Sequence, residues 1–209
     1  MINFEKIINP LKNITDNKTI DELLEITRDG FGTNMTREDV KNHVLNTEVL
    51  YLIKDKELIG FSSYDYPILA GEKSIYLNGI VVKRNSQKKG VFLDLNKQVI
   101  EENFDKKYLV MRTQNPVIYG ATKKLVDKIY PSEDEIPKHI INIGVEASKR
   151  LNMKDFNEQN FVGRNTYGTC LYDKIPKHSF SNDFFDNFLR INYEKGDSII
   201  IVGEINGNK

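Results

Sequence analysis

The sequence predicts an α/β (α+β) fold with a mixed, twisted central sheet and helices on both faces, and three observations support this. Residues 75–82 are apolar and β-branched like a buried strand, and residues 91–103 repeat apolar side chains at helical spacing. A second strand–helix pair follows over residues 107–129. Two alternating runs, residues 48–54 and 57–66, predict a β-hairpin ahead of both pairs.

Length, charge and cysteine content limit the class of protein. The 209 residues suit one domain spanning residues 1–209. Lys+Arg and Asp+Glu both number 30, so no strong field is available to hold nucleic acid or a membrane. Cys170 is the single cysteine, which excludes an intramolecular disulfide. The first residues lack the apolar run of a signal peptide, and no stretch is long enough to span a bilayer. We therefore expect a cytoplasmic protein.

The first long helix is predicted over residues 19–31. Thr19 with Glu22 three residues later has the pattern of a capping box, which marks a helix start. Gly30 and Gly32 are expected to end this helix.

A first strand is expected within residues 4–14, and a short second helix over residues 36–45. Thr36 with Asp39 starts that helix. Both early helices have apolar faces typical of structural packing.

A polar loop over residues 83–90 joins the strand at 75–82 to its helix. It carries lysine, arginine and glutamine and closes on Gly90. A strand, a basic glycine loop and a helix together can hold a phosphate, because the loop N–H groups and the positive helix end point at the same place. An ordinary strand–turn–helix junction with solvated lysines has the same pattern, so the loop alone leaves both interpretations open.

The spacing inside this loop is more specific. Gln87-Lys88-Lys89-Gly90-Val91 resembles the acyl-CoA-binding motif of the GCN5-related N-acetyltransferases, which runs Gln or Arg, any, any, Gly, any, Gly or Ala. Phe92 departs from the motif, since the family usually has a very small residue there. Its phenyl ring must turn away for the backbone to approach a pyrophosphate closely.

A second junction matches the same family. Residues 107–114 have an apolar middle typical of a central strand, Asn115 is a good helix N-cap, and Pro116 suits a first helical turn. The run 112–116 resembles a strand-to-helix junction of some family members. The resemblance covers about residues 19–130. It implies an acyl-CoA N-acyltransferase-like fold in which two adjacent strands splay apart, with the thioester end of the cofactor between them.

The C-terminal third resembles the family only loosely. Residues 137–151 predict an extra helix, and residues 155–164 a strand or loop. Residues 165–173 alternate and predict a sixth strand, residues 180–189 are amphipathic, and residues 198–205 predict a final strand.

The resemblance also implies a cosubstrate and its contacts. Acetyl-CoA is the expected acyl donor. Loop N–H groups would hold its pyrophosphate, and the strand before the loop would pair with its pantetheine arm. The residues assigned to cofactor binding on this basis are Ile80, Val82, Gln87, Lys88, Lys89, Gly90, Val91, Phe92 and Asn115.

Acid–base residues are less well defined. The family often uses a tyrosine as general acid, on the helix that follows the strand at residues 107–114. Tyr119 lies on that helix, although the family tyrosine falls nearer Thr122. A packing tyrosine is the alternative. The strand glutamate that many members use as general base is replaced here by Tyr76, which leaves a water-relayed base, no base, or His43. The histidines and Cys170 have no metal-ligand spacing, so no metal is predicted.

Together these features predict an acyl-CoA-dependent N-acyltransferase that moves an acetyl group to an amine of an unidentified small molecule or peptide. A non-catalytic acyl-CoA-binding module on the same fold is the alternative, motivated by Phe92 and by the missing strand glutamate. A third hypothesis is a structural protein that binds a partner and no cofactor. No nucleic-acid or membrane partner is expected, and the oligomeric state stays open, a homodimer included.

Overall fold

A computed structural model gives the structure of residues 2–31 and 36–205. The strands are β1 (Asn3–Ile8), β2 (Val49–Asp55), β3 (Glu57–Asp65), β4 (Ile68–Leu69), β5 (Glu72–Val82), β6 (Tyr108–Thr113), β7 (Lys128–Tyr130), β8 (Phe156–Asn157), β9 (Val162–Gly163) and β10 (Ser198–Glu204). The α-helices are α1 (Pro10–Asn13), α2 (Asn17–Phe31), α3 (Arg37–Val40), α4 (Val91–Glu102), α5 (Pro116–Thr122), α6 (Lys138–Arg150) and α7 (Ser181–Asp183). Single π-helical turns at Lys41–Leu45 and Phe184–Phe188 continue α3 and α7.

The contacts divide the chain into two compact units. The first comprises the described residues of Met1–Tyr66 and Tyr76–Leu95, and the second those of Pro67–Ile75 and Asn96–Lys209. The boundaries fall inside β5 and inside α4, so each of these elements contributes to both units. The single domain over residues 1–209 stays a prediction.

The first unit contains an antiparallel sheet in the order β1-β2-β3-β5. β2 and β3 form the predicted hairpin, and its turn places Lys56 at φ 65°. Helix α2 buries Leu23 and Ile26 against this sheet, where Leu50 and Phe61 are also buried. The unit therefore has a core of its own between its early helices and its sheet.

The start of α2 differs from the prediction. Asp16 caps it, since the Thr19 N–H donates to Asp16 Oδ1 at 2.8 Å. The predicted Thr19–Glu22 capping box is wrong, because the helix begins at Asn17 and both residues lie inside it. Gly30 also lies inside the helix, and Gly32 lies outside the described residues.

The capping box of α3 is confirmed. The Asp39 N–H donates to Thr36 Oγ1 at 3.2 Å, and the Thr36 N–H donates back to Asp39 Oδ2 at 2.8 Å. These reciprocal bonds satisfy two N–H groups that a helix start otherwise leaves without partners.

The second unit is organised around β10, the last strand of the chain. Along one edge β10 pairs with β6, from Ile199 opposite Thr113 to Glu204 opposite Tyr108. Along its other edge lie β9 and β7, and β8 pairs with β9. β10 is fully buried from Ile199 to Val202, so the strand predicted last in the chain is central in its sheet.

Two predictions in this unit are wrong. The helix predicted to continue to residue 129 ends at Thr122, because Ile129 instead pairs with Gly203 as part of β7. The sixth strand predicted over residues 165–173 does not form. Since β9 and β7 already occupy that edge of β10, residues 165–173 form an irregular loop instead.

The extra helix predicted over residues 137–151 is confirmed as α6. It packs very closely at Gly144, where an added Cβ would lie 2.7 Å from the ring of Phe161. Phe161 is fully buried and stacks on Phe156. The missing side chain at Gly144 is therefore what lets α6 lie against this part of the sheet.

Candidate functional site

The glycine loop lies in the first unit at the end of β5. Residues 87–90 are exposed, and α4 begins directly after them at Val91. Lys88 and Gly90 both have left-handed backbone conformations, at φ 64° and 80°. The Leu93 and Asp94 N–H groups donate to the Gly90 carbonyl at 2.9 and 3.0 Å, which makes Gly90 the N-cap of α4. The loop therefore ends at a helix start, as the sequence predicts.

The backbone N–H groups of this loop are available to a ligand. Among residues 2–31 and 36–205, those of Lys88, Lys89, Gly90 and Val91 donate no hydrogen bond. They lie at the positive end of a 12-residue helix, beside two lysine side chains. Unpaired N–H groups at a helix start, with cations beside them, favour an anion such as a pyrophosphate.

The base of the loop is fixed to neighbouring elements. The Arg84 N–H donates to Asp29 Oδ2, and Arg84 Nε donates to the Asp29 carbonyl, both at 2.6 Å. Gln87 Nε2 donates to the Val82 carbonyl at 2.9 Å. These bonds tie the loop to the last turn of α2 and to the end of β5, which limits how far its amides can move.

The two predicted strand contacts lie next to this loop. Ile80 and Val82 are half-buried residues of β5, paired with Ser62 and Gly60 of β3. The Val82 carbonyl keeps one lone pair beyond the bond from Gln87. All of the predicted cofactor residues except Asn115 therefore lie together in the first unit.

Asn115 and Tyr119 lie in the second unit, on α5. The Asn115 side chain caps the helix, with Oδ1 accepting from the Val117 N–H at 2.8 Å. This confirms the predicted cap. A contact between Asn115 and a cofactor stays a prediction.

Tyr119 is buried, with its hydroxyl facing the chain itself. The hydroxyl donates to the Pro131 carbonyl at 2.7 Å, and the ring stacks on Phe184 with centroids 5.0 Å apart. Burial raises the pKa of Tyr119, and the charge of Glu133 adds to the effect. The tyrosine keeps its proton at neutral pH, which suits both a general acid and a packing residue.

Comparisons with known proteins agree with this topology. No protein-family model and no curated protein sequence matches the chain. Among solved structures, the ribosomal-protein-S18-alanine N-acetyltransferase of Escherichia coli superposes with a TM-score of 0.57 at 12% identity, over 100% of this chain and 97% of that one. Arabidopsis thaliana NAA60 in complex with a bisubstrate analogue gives 0.50 at 17% identity, over 100% of both chains.

The chain has the GCN5-related N-acetyltransferase fold. Its mixed α/β content, with a mostly antiparallel sheet flanked by helices, confirms the predicted fold class. At these identities the likeness establishes the fold alone.

The space over the glycine loop is open at Gly90. A Cβ added at Gly90 would meet only Asp94 Oδ2, at 3.6 Å, so the space over the loop is open. The Phe92 side chain is half-buried. The exposed N–H groups, the two lysines and the open face fit a diphosphate.

The position of the family's strand glutamate is occupied by a residue that is not an acid. Tyr76 is buried in β5 opposite Asp65, and Asn78 is exposed. His43 is exposed on the π-helical turn that continues α3. A water-relayed base, the absence of a base and His43 therefore all stay predictions.

Tyr172 is a neighbour of Asn115 that sequence reasoning missed. Burial raises the pKa of Tyr172, and a hydrogen bond with Asn115 opposes this. The irregular loop that carries Tyr172 is held to β6 by Gln114, whose Oε1 accepts from the Leu171 N–H at 3.0 Å. No local pattern brings residues 57 positions apart together.

Metal and membrane features can be stated for the described part of the chain. There, no group of three or more His, Cys, Asp and Glu side chains is placed to hold a metal ion. Across residues 2–31 and 36–205, no helix combines the length and the apolar character needed to cross a bilayer.

Proposed function

We propose that the chain is an acyl-CoA-dependent N-acyltransferase that moves an acetyl group from acetyl-CoA to an amine. The observation that carries this is the set of unpaired backbone N–H groups from Lys88 to Val91, at the start of α4 in an acetyltransferase fold. In the reaction, the neutral amine nitrogen attacks the thioester carbonyl. A C–N bond forms, the C–S bond breaks, and the proton lost by the amine ends on the CoA thiol.

The loop residues bind the cosubstrate in this proposal. The N–H groups of Lys88 to Val91 hold its pyrophosphate, the lysine side chains add attraction, and backbone groups of Ile80 and Val82 pair with the pantetheine arm. Phe92 supplies only its backbone. Asn115 remains a predicted contact, and Tyr119 the predicted donor of a proton to the leaving thiolate.

The acceptor is an amine of a small molecule or of a peptide. The Escherichia coli structure is named for acetylation of an alanine of ribosomal protein S18, and the NAA60 structure holds a bisubstrate analogue. Those acceptors belong to those proteins. A cytoplasmic location and the assembly state, a homodimer included, stay predictions for this chain.

Acetyl-CoA calorimetry and thiol release together test the proposal. We expect saturable binding of acetyl-CoA, and release of free CoA thiol when members of an amine panel are added. Binding without transfer to any amine would favour the non-catalytic acyl-CoA-binding module. Two sequence features are consistent with that module, Phe92 in the glycine loop and a tyrosine, Tyr76, in place of the family's glutamate. An absence of acetyl-CoA binding would contradict both hypotheses and leave a protein without this cofactor.

A further inference from the structure

A cavity of about 470 Å³ lies within the second unit. It lies beside β6, at the chain segment that follows α6 and at the start of the irregular loop. Its lining is mostly polar or charged. The residues that line it are Arg112, Leu151, Asn152, Met153, Lys154, Asp155, Arg164, Asn165 and Thr166.

Arg112 has no carboxylate partner in this cavity. Within residues 2–31 and 36–205, it forms no salt bridge. Its neighbour is Tyr167, whose pKa is raised by burial and lowered, to a smaller extent, by the charge of Arg112 and by a side-chain hydrogen bond with it. Its guanidinium carbon lies over the Tyr167 ring, 4.1 Å from the ring centroid. A guanidinium held over an aromatic ring is restrained by the cation–π contact, and the N–H donors that do not face Tyr167 remain for a ligand.

Arg164 has a structural role instead. Its Nη1 donates to Asp197 Oδ2 at 2.6 Å and to the Arg190 carbonyl at 2.8 Å. Asp197 is buried and also accepts from the Asn165 N–H at 3.0 Å. Asp197 neutralises Arg164. The other charged side chains that line the cavity are the cations Arg112 and Lys154 and the anion Asp155, so the lining has a net charge of one positive unit. Of these side chains, Arg112 is half-buried and the other two are exposed.

We infer that this cavity binds the anionic group of the acceptor, a carboxylate or a phosphate, through the Arg112 guanidinium. The inference rests on the proposed function, because it makes the acceptor an amine that also carries an anion. A planar guanidinium matches both groups with two parallel hydrogen bonds.

The position of Arg112 fits an acceptor of modest size. Arg112 lies three residues before Asn115, the predicted cofactor contact at the end of the same strand. Three residues of extended chain span about 10 Å. The long Arg112 side chain can cover part of that span, and an acceptor such as an amino acid or the end of a peptide can cover the rest.

Matched amine pairs test this inference directly. Binding of glycine against glycinamide, and of phosphoethanolamine against ethanolamine, is measured calorimetrically on the full chain without acetyl-CoA. We expect the anionic member of at least one pair to bind roughly ten- to a hundredfold more tightly, the value of a charged hydrogen-bonded contact. The pair with the larger ratio distinguishes carboxylate from phosphate.

Variants assign the effect to one side chain. Arg112→Met keeps the length of the side chain and should remove the preference, whereas Arg112→Lys should retain part of it. Lys97→Met, which removes an exposed charge from α4, should leave it unchanged. Equal binding within both pairs by the wild type, or a preference that survives in Arg112→Met, would overturn the inference. The wild-type comparison decides the matter if Arg112→Met does not fold.

Acetyl-CoA titrations on the same samples separate the two proposals. Normal acetyl-CoA binding with no anion preference overturns only the acceptor site. An anion preference without acetyl-CoA binding overturns the proposed transferase and leaves the cavity as an anion site.

Discussion

Tyr119 can act as a general acid or serve only in packing, and one substitution distinguishes the two roles. Tyr119→Phe removes the hydroxyl that donates to the Pro131 carbonyl and keeps the stacked ring. A general acid predicts a fall in kcat of about a hundredfold or more, since proton transfer contributes that much. A packing tyrosine predicts an unchanged kcat and a loss of unfolding free energy of about 1 kcal/mol. Acetylation kinetics and urea unfolding of the same variant measure both quantities.

Asp197 should make stability depend on acid pH. Burial alone would raise its pKa, but hydrogen bonds from the Asn165 N–H, Arg164 and the Asn192 N–H outweigh it, so the folded-state pKa lies below the ordinary 3.8. A carboxyl group with a lowered pKa stabilises the fold above its unfolded-state pKa and loses that stabilisation as the pH falls through the folded-state pKa.

Asp197→Asn tests this linkage. We expect the variant to lose about 2 kcal/mol of unfolding free energy at pH 7, because its bonds to Arg164 and two N–H groups are no longer charge-assisted. The difference from the wild type should shrink below pH 4. Urea unfolding at a series of pH values measures it, and a difference that grows on acidification would contradict the assignment.

At the scale of elements, the attachment of the glycine loop to α2 should matter for binding. Asp29→Ala removes the side-chain acceptor of the Arg84 N–H. We expect acetyl-CoA to bind up to about tenfold more weakly, the value of one hydrogen bond that orders the loop. Asp21→Ala is the control, since it removes a carboxylate of the same helix that pairs with Arg37 instead. Equal effects of the two variants on affinity would refute the role of this attachment.

The close packing of α6 at Gly144 should make the stability of the protein sensitive to an added methyl group there. Gly144→Ala places a methyl group against the buried Phe161 ring and should cost about 1–3 kcal/mol of unfolding free energy. Gly79→Ala is the matched control, because no atom lies within 4 Å of its added Cβ. Thermal unfolding of both variants compares them, and equal stabilities would show that α6 does not pack tightly at this point.

Elements with a strong local pattern could be predicted from the sequence. The β2–β3 hairpin, α4, β6 and α6 each repeat apolar residues over several positions, and all four form where expected. β7 could not be predicted, because this strand of three residues exists only through pairing with the distant β10, and for β9 the sequence leaves strand and loop both open. The loop over residues 165–173 alternates like a strand, but the edge it would need is already occupied.

For the whole molecule, the fold shows a similarity to known proteins that the sequence alone does not show. No family model or curated sequence matches, yet the fold agrees with acetyltransferase structures at 12% and 17% identity. The short motif around Gly90 could be found because its residues are consecutive. The Arg112–Tyr167 contact could not, because it joins distant residues of β6 and the irregular loop. The proposed acceptor site is therefore where the structure adds most to the sequence.

In the proposed function, the backbone around Gly90 holds the diphosphate of acetyl-CoA. Calorimetric titration of acetyl-CoA into Gly90→Glu tests it most directly, with Gly71→Glu as the control. Both glycines have a positive φ, 80° and 83°, and neither added Cβ is crowded, so both variants carry the same charge and a similar backbone strain of about 1 kcal/mol. We expect an affinity at least about a hundredfold lower for Gly90→Glu, because its negative charge repels the diphosphate, and wild-type affinity for Gly71→Glu. Wild-type affinity in a folded Gly90→Glu would contradict it.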